Sequence, residues 1–390
     1  MFAAMFTDTH RQYFDKMRIS NFQKSNIILF TALIVIVIAA FSVGIYLFLQ
    51  NSDDIPVTAD TESETFYETK EETSSDTETE PPIIETTSPP ESETAELSYD
   101  EKRSELLVEY ASELGAWIKE STPIYKTEAE TDESGNTLSS PESYKPPVAF
   151  YYMDIASGNI MEYNSEYVFY TASVIKAPYV LWALKEIERA ESEGDVKGTK
   201  FDIDRVFIYT EDKFKSGSGI IQNSDFGSSY TSFDLLKLTI THSDNVAFSE
   251  IRNIWGRKGF NEFSESIGVI NPQKKLFSAN AREMGAYMLE IYKYFESGGK
   301  YSEAFKNWML GTNHRIMIPS AVNPSVAANK YGWDLDAYHD MAIVFDEHPY
   351  LLVIMTELEN GSREDNVFIR ELASRINEIH ISLYETEPMK

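Results

Sequence analysis

No cysteine occurs anywhere in the 390 residues. That excludes disulfides, thiolate metal sites and cysteine nucleophiles together. Whatever part of the chain folds outside a cell must do so on core packing alone. Basic side chains are also scarce: 34 Lys and Arg stand against 63 Asp and Glu, a net charge of −29. A surface that acidic disfavours nucleic acid and anionic lipid headgroups, and no nucleic-acid partner is expected. The six histidines include no H-x-x-x-H pair or similar ligand spacing, so no zinc site and no cofactor is expected.

Charge is missing altogether from one stretch. Residues 27–49 read IILFTALIVIVIAAFSVGIYLFL, long enough as a helix to cross a hydrocarbon core of roughly 30 Å. Arg11, Lys16, Arg18 and Lys24 precede it and acidic residues follow. The positive-inside bias then puts residues 1–26 in the cytoplasm and everything beyond the span outside, anchored in the cell membrane. A cleaved signal peptide is the alternative, but the run exceeds a signal h-region and no clear A-x-A site follows. Residues 50–97 are poor in apolar side chains instead: they are mostly Ser, Thr, Glu, Asp and Pro, with about fifteen acidic residues against Lys70. Such a segment self-repels and extends, which suits a spacer better than a binding tail.

Residues 98–390 have the composition of a folded domain. Ser98 and Glu101 form a capping box, and Leu107, Tyr110, Ala111, Leu114 and Ile118 then recur at helical spacing. A hairpin follows, with arms Val148 to Asp154 and Ile160 to Tyr163 around a turn at Ala156 to Asn159. A long helical middle runs from about Thr171 to Asn307. Three strands come next, at Val326 to Tyr331, Asp340 to Phe345 and Tyr350 to Thr356, and then a helix from Glu364 to Tyr384. This order predicts an α+β fold: a five-stranded antiparallel sheet, both terminal helices on one face, and an all-helical subdomain inserted in the middle. A cleft then forms between sheet and helical lobe.

Three short motifs could carry chemistry. Ser173 and Lys176 sit three apart in VFYTASVIKAPYVLWAL, a helix-like run that brings the lysine within reach of the serine hydroxyl. A serine hydroxyl needs a base, and a lysine with a depressed pKa can be one. A capping serine with a surface lysine is the bland reading of that pair, but the apolar flanks would bury Lys176, and an unpaired buried charge is costly. Ser243-Asp244-Asn245 interrupts an apolar segment where a loop between helices is expected. Lys330-Tyr331-Gly332-Trp333 ends an expected strand.

In this order and on these elements, the three resemble the S-x-x-K, S-D-N and K-T-G set of class A β-lactamases and penicillin-binding proteins. The resemblance extends over about residues 98 to 385, including KSGSGIIQ at Lys215 to Gln222. It implies that Ser173 attacks an amide or lactam carbonyl and Lys176 serves as base or its partner. Ser243 would pass the proton to the leaving nitrogen, and Asn245 would hold the substrate and Lys176. Lys330 would supply positive potential for a substrate carboxylate and depress the pKa of its neighbours, and the N–H groups of Ser173 and Trp333 would form an oxyanion hole, with Tyr331, Gly332 and Trp333 lining the substrate. The substrate would be a β-lactam or a peptidoglycan stem peptide, and the setting a bacterial envelope.

Two departures stand out. Class A enzymes carry a loop glutamate that activates the deacylating water. Here the chain runs from Gly268 through VINPQKKLFSANAREMGAYM without room for that loop, and with no acidic residue before Glu283. Glu250, Glu262 and Glu265 read as helix-surface charges. Acylation with slow deacylation is therefore expected. Tyr331 also replaces the usual short hydroxyl. A Ser-His-Asp triad is the rival scheme, but His242 and His339 lie in no suitable motif and no G-x-S-x-G elbow surrounds Ser173. A non-catalytic wall-binding or sensor domain with the same cleft is the alternative from another class.

Overall fold

Strands buried on both faces lose the polar alternation of a half-exposed sheet, because neither face meets water. The runs VAFYYMD, AYHDMAIV and YLLVIMT have that character, and each is buried along nearly its whole length. The computed structural model describes residues 99–127, 142–358 and 362–385. The expected cytoplasmic segment, membrane span and linker, and Ser98 of the expected capping box, lie outside the described residues. Among the described residues no helix is long and apolar enough to cross a membrane.

The fold is α+β. Helix α1 is Tyr99–Ser121, followed by β1 (Val148–Asp154) and β2 (Ile160–Tyr163). The helical middle comprises α2 (Lys176–Glu193), α3 (Ser232–Thr241), α4 (Asn245–Trp255), α5 (Lys258–Ser266), α6 (Ala281–Glu296) and α7 (Ser302–Leu310). Strands β3 (Ala327–Asp334), β4 (Ala337–Val344) and β5 (Tyr350–Thr356) precede the last helix, α8 (Arg363–Glu385). The five strands form one antiparallel sheet in the order β2-β1-β5-β4-β3.

Period-two geometry sorts the sheet side chains onto two faces. Phe150, Tyr152, Leu352 and Ile354 pack with Leu107, Leu114 and Ile118 of α1 and Phe368, Leu372 and Ile376 of α8. Tyr151, Leu351 and Val353 pack with the helical middle. Each such side chain fully removed from water contributes roughly 1.5–3 kcal/mol before chain entropy is set against it. Helix α6 lies so close to β1 that a Cβ at Gly285 would overlap the Tyr151 ring. Both terminal helices therefore share one face and the inserted helices the other, as the order of elements implies.

Two expectations need correcting. The strand expected to end at Tyr331 continues through Gly332, Trp333 and Asp334, and its partner begins at Ala337 rather than Asp340. Gly and Asp look like turn residues in sequence, but cross-strand pairing supplies their backbone partners. The helical middle also contains a two-stranded ladder, Val206–Ile208 against Ser229–Thr231, too short to leave a pattern.

Candidate active site

Ser173 stands where β3 meets the helical lobe. The α-helix expected from Ser173 begins only at Lys176; Ala172–Ile175 forms a tighter 3-10 turn. Ala172, just before the serine, has φ 43°, a left-handed conformation that costs a non-glycine residue on the order of 1 kcal/mol or more. The surrounding backbone holds it there. Thr171 N–H donates to Phe277 O at 3.0 Å, within a short pairing of Phe169–Tyr170 with Ser278–Ala279. Gly332 of β3 packs onto the same turn, so that a Cβ there would stand 2.8 Å from Thr171 O and 3.1 Å from Ser173 N.

A histidine ties this turn to the sheet. Thr356 N–H donates to His339 Nδ1 at 3.0 Å, which leaves the proton on Nε2, 2.7 Å from Tyr170 O. Burial holds this imidazole down to about 4, so it is neutral and locked in one tautomer. His242 bonds to Thr241 Oγ1 at 2.9 Å. Neither histidine hydrogen-bonds Ser173 among the described residues.

Lys176 is 2 % exposed, and its Nζ donates to Ser243 O at 2.6 Å and Asn245 Oδ1 at 2.7 Å, with Ser243 Oγ at 3.3 Å. The Phe248 ring centroid lies 5.5 Å away. Burial lowers the lysine to about 7, while Asp244 and Asp334 pull the other way. The expectation that S-x-x-K spacing aims this lysine at Ser173 needs refining: its hydrogen bonds run to the second motif. Lys330, wholly buried, donates to Ser243 Oγ at 3.0 Å and to Tyr331 O at 2.7 Å. Burial, and then the charge of Lys176, hold it well below the ordinary lysine value, with Asp340 opposing. Two lysines thus converge on one serine hydroxyl.

The second motif is built as a loop, as expected. Ser243 has φ 52°. Asp244, which the sequence reading left without a role, caps α4 through Ala247 N–H at 2.9 Å, and its other oxygen accepts from Ile220 and Ile221 N–H at 2.7 and 2.9 Å. The KSGSGIIQ segment is thereby wrapped onto the motif: Asn245 Nδ2 donates to Ser216 O at 2.9 Å, and a Cβ at Gly219 (φ 116°) would overlap the Asp244 carboxyl. Tyr331 is buried, with its ring tilted against His314 and the ring centroids 4.2 Å apart. Burial raises its phenol above the ordinary value, against the opposing influence of the neighbouring Ser218 and Ser243 side chains. Trp333 is 45 % exposed.

Sequence reasoning missed what stands behind the third motif. Asp340, fully buried, accepts from Asn329 Nδ2 at 2.9 Å and Ile318 N–H at 3.1 Å, and burial raises its carboxyl to about 7. A polar residue inside an apolar strand run was the available signal.

Glu283 Oε1 accepts from Ile270 and Asn271 N–H at 2.8 Å each, and Oε2 from Asn280 N–H at 3.1 Å and Asn271 Nδ2 at 2.9 Å. That carboxylate caps α6 and the turn before it. Glu250, expected on a helix surface, is nearly buried and paired with Lys213 at 3.3 Å. Exposed Glu262 pairs with Lys258. Among the described residues no group of three or more His, Asp or Glu is placed to hold a metal ion.

Residues 134–379 match the profile of the "Beta-lactamase enzyme family". Among solved structures, PBP-A is 17 % identical with a TM-score of 0.56, covering 70 % of this chain and 96 % of its own. A variant of PBP-A has been solved as an acyl-enzyme complex with penicillin G. A β-lactamase from Streptosporangium roseum (15 % identical, TM-score 0.54) and a class A β-lactamase from Mycobacterium abscessus (16 %, 0.53) each cover 70 % of this chain and 99 % of their own. At these identities the likeness is one of fold. No curated protein matches the chain.

Proposed function

The chain belongs to the β-lactamase enzyme family, and from that premise we propose that it is a membrane-anchored serine acyl-transfer enzyme whose acyl-enzyme is released slowly. The observation that carries the proposal is Lys176: buried, lowered to about 7, and held beside the serine turn by Ser243 and Asn245. Neutral Lys176 has its two hydrogens directed at two oxygen acceptors, which leaves its lone pair for a proton. In this scheme the Ser173 hydroxyl loses its proton to Lys176 as Oγ bonds to the carbonyl carbon. The carbon–nitrogen bond then breaks, and the nitrogen takes a proton through Ser243, which both lysines touch. The N–H groups of Ser173 and Trp333 receive the negative oxygen.

Slow release is supported by Glu283, whose oxygens are all committed to backbone and Asn271 donors. The Phe277 carbonyl, not a carboxylate, abuts the serine turn. Anchoring rests on the apolar run at residues 27–49 and the positive residues before it, which put the catalytic domain outside the membrane. A β-lactam or a peptidoglycan stem peptide is the proposed substrate class. Intact-mass spectrometry of the detergent-solubilised chain with penicillin, beside Ser173→Ala, tests this. A persistent adduct absent from the variant supports it. Rapid turnover would overturn slow release, and no adduct would favour a binding module.

A further inference from the structure

We infer that Tyr331 is a specificity-determining residue that closes the Ser243–Lys330 end of the cleft to anions, so that this site acylates preferentially with donors lacking a free carboxylate beside the reacting carbonyl. The inference rests on the acyl-transfer reading and deepens it.

An anionic group is recognised by a cation it can reach, or by free donors aimed at it. Lys330 offers neither. It is wholly buried, and two of its three hydrogens are directed at Ser243 Oγ and Tyr331 O. The Tyr331 ring covers the ammonium, with its centroid 4.2 Å from Nζ. This is a cation–π arrangement: it favours the protonated form of a lysine whose charge burial and Lys176 disfavour, and it does so without an anion.

The ring is also firmly seated. It is 6 % exposed, packs at a tilt against His314 with centroids 4.2 Å apart, and belongs to the same packed cluster as Met317 and Ile318. Its hydroxyl end lies beside Ser218 and Ser243, and Ser243 itself is 0 % exposed. A carboxylate arriving here would have to displace an aromatic ring from its packing or lose its hydration against the ring face, and an unpaired buried charge is costly. The far end of β3 adds nothing attractive: exposed Asp334 accepts from Tyr170 OH at 2.9 Å. An ester or amide in the same place brings no such charge. Leaving the wrong ligand's charge unpaired is one way a site builds specificity against it.

The test compares penicillin G with its methyl ester, which share one lactam and differ only in the carboxylate. Acylation of the full chain is followed by intact mass, each rate divided by that compound's hydrolysis rate in hydroxide to remove intrinsic reactivity. Wild type is expected to take the ester at least as fast as the acid. Tyr331→Thr, folded by near-ultraviolet circular dichroism, is expected to raise the acid-to-ester ratio by about tenfold or more. Tyr331→Phe keeps the ring and is expected to keep the wild-type ratio. A wild type that prefers the acid tenfold, or a ratio unmoved by Tyr331→Thr, overturns this inference and leaves the acyl-transfer reading intact. A ratio that rises in Tyr331→Phe as in Tyr331→Thr overturns the role of the ring. No Ser173 adduct with either compound in any of the proteins overturns the acyl-transfer reading, and this inference with it.

Discussion

Lys176 Nζ donates to Asn245 Oδ1 at 2.7 Å, so the first and second motifs are joined by a side-chain bond across the cleft. With Ser243 O as the second acceptor, both hydrogens of a neutral Lys176 are assigned. Asn245 thus holds the Lys176 amine in place, and in the proposed scheme it positions the base. The state that matters is the deprotonated one, and burial brings it within reach of neutral pH.

The acylation rate should therefore rise with pH and level off above about 7, where Lys176 has lost its proton. Stopped-flow acylation between pH 5 and 9 checks this. Lys176→Met is expected to lower the plateau by roughly 10²–10⁴-fold, the usual contribution of a positioned base. A flat profile in wild type would exclude Lys176 as the base.

Gly332→Ala inserts a Cβ 2.8 Å from Thr171 O and 3.1 Å from Ser173 N. The serine turn or β3 must shift. A displacement near 1 Å is expected to cost about 100-fold in acylation, and overpacking about 1–3 kcal/mol in stability. Acylation kinetics with urea unfolding of the same preparation separate the two effects.

Glu283 caps α6 and is not placed as a deacylating base. Glu283→Ala should cost about 1–2 kcal/mol through the lost cap and the orphaned N–H groups of Ile270 and Asn271. The lifetime of the penicilloyl adduct should stay unchanged. Thermal unfolding and the decay of the adduct mass are the two readouts.

His339 must be neutral in the fold, since a proton on Nδ1 would face Thr356 N–H. Its folded value near 4 lies below the ordinary 6.5. Between those values the unfolded chain binds the extra proton, so stability falls as pH drops through that window. The loss amounts to roughly 3 kcal/mol at most. Asp340, raised to about 7 by burial, acts in the opposite sense over a similar range. The contribution is therefore read as a difference: wild type should lose stability relative to His339→Gln on acidification from pH 6.5 to 4. Urea midpoints across that range measure it. Parallel curves would mean that His339 does not titrate as described.

The hairpin Val148–Asp154 with Ile160–Tyr163 and the strand Tyr350–Thr356 were legible residue for residue, because apolar runs bounded by turn residues have few alternatives. The β3–β4 hairpin was legible only in part, since Gly332 to Asp334 enter a strand through pairing with Ala337 to His339. Among the site residues, the three motifs were visible as strings, and the geometry brings Lys176, Ser243, Asn245 and Lys330 into contact. The direction of Lys176 was not visible. Three-residue spacing puts it on the side of Ser173, yet the acceptors that orient it are 67 and 69 positions away.

By itself the sequence determined the absence of thiol chemistry, the order of elements, and which residue types could act. Those properties depend on composition and on local periodicity, which a chain carries before it folds. The tertiary structure decided which groups are desolvated, and so which lysine loses its proton near neutrality. It decided that Glu283 is consumed by capping, and that Tyr331 lies over Lys330. Burial and long-range acceptors are properties of the packed state: an ammonium's pKa is set by the water it has lost and the charges around it, and neither exists until helix, loop and strand have closed on one another.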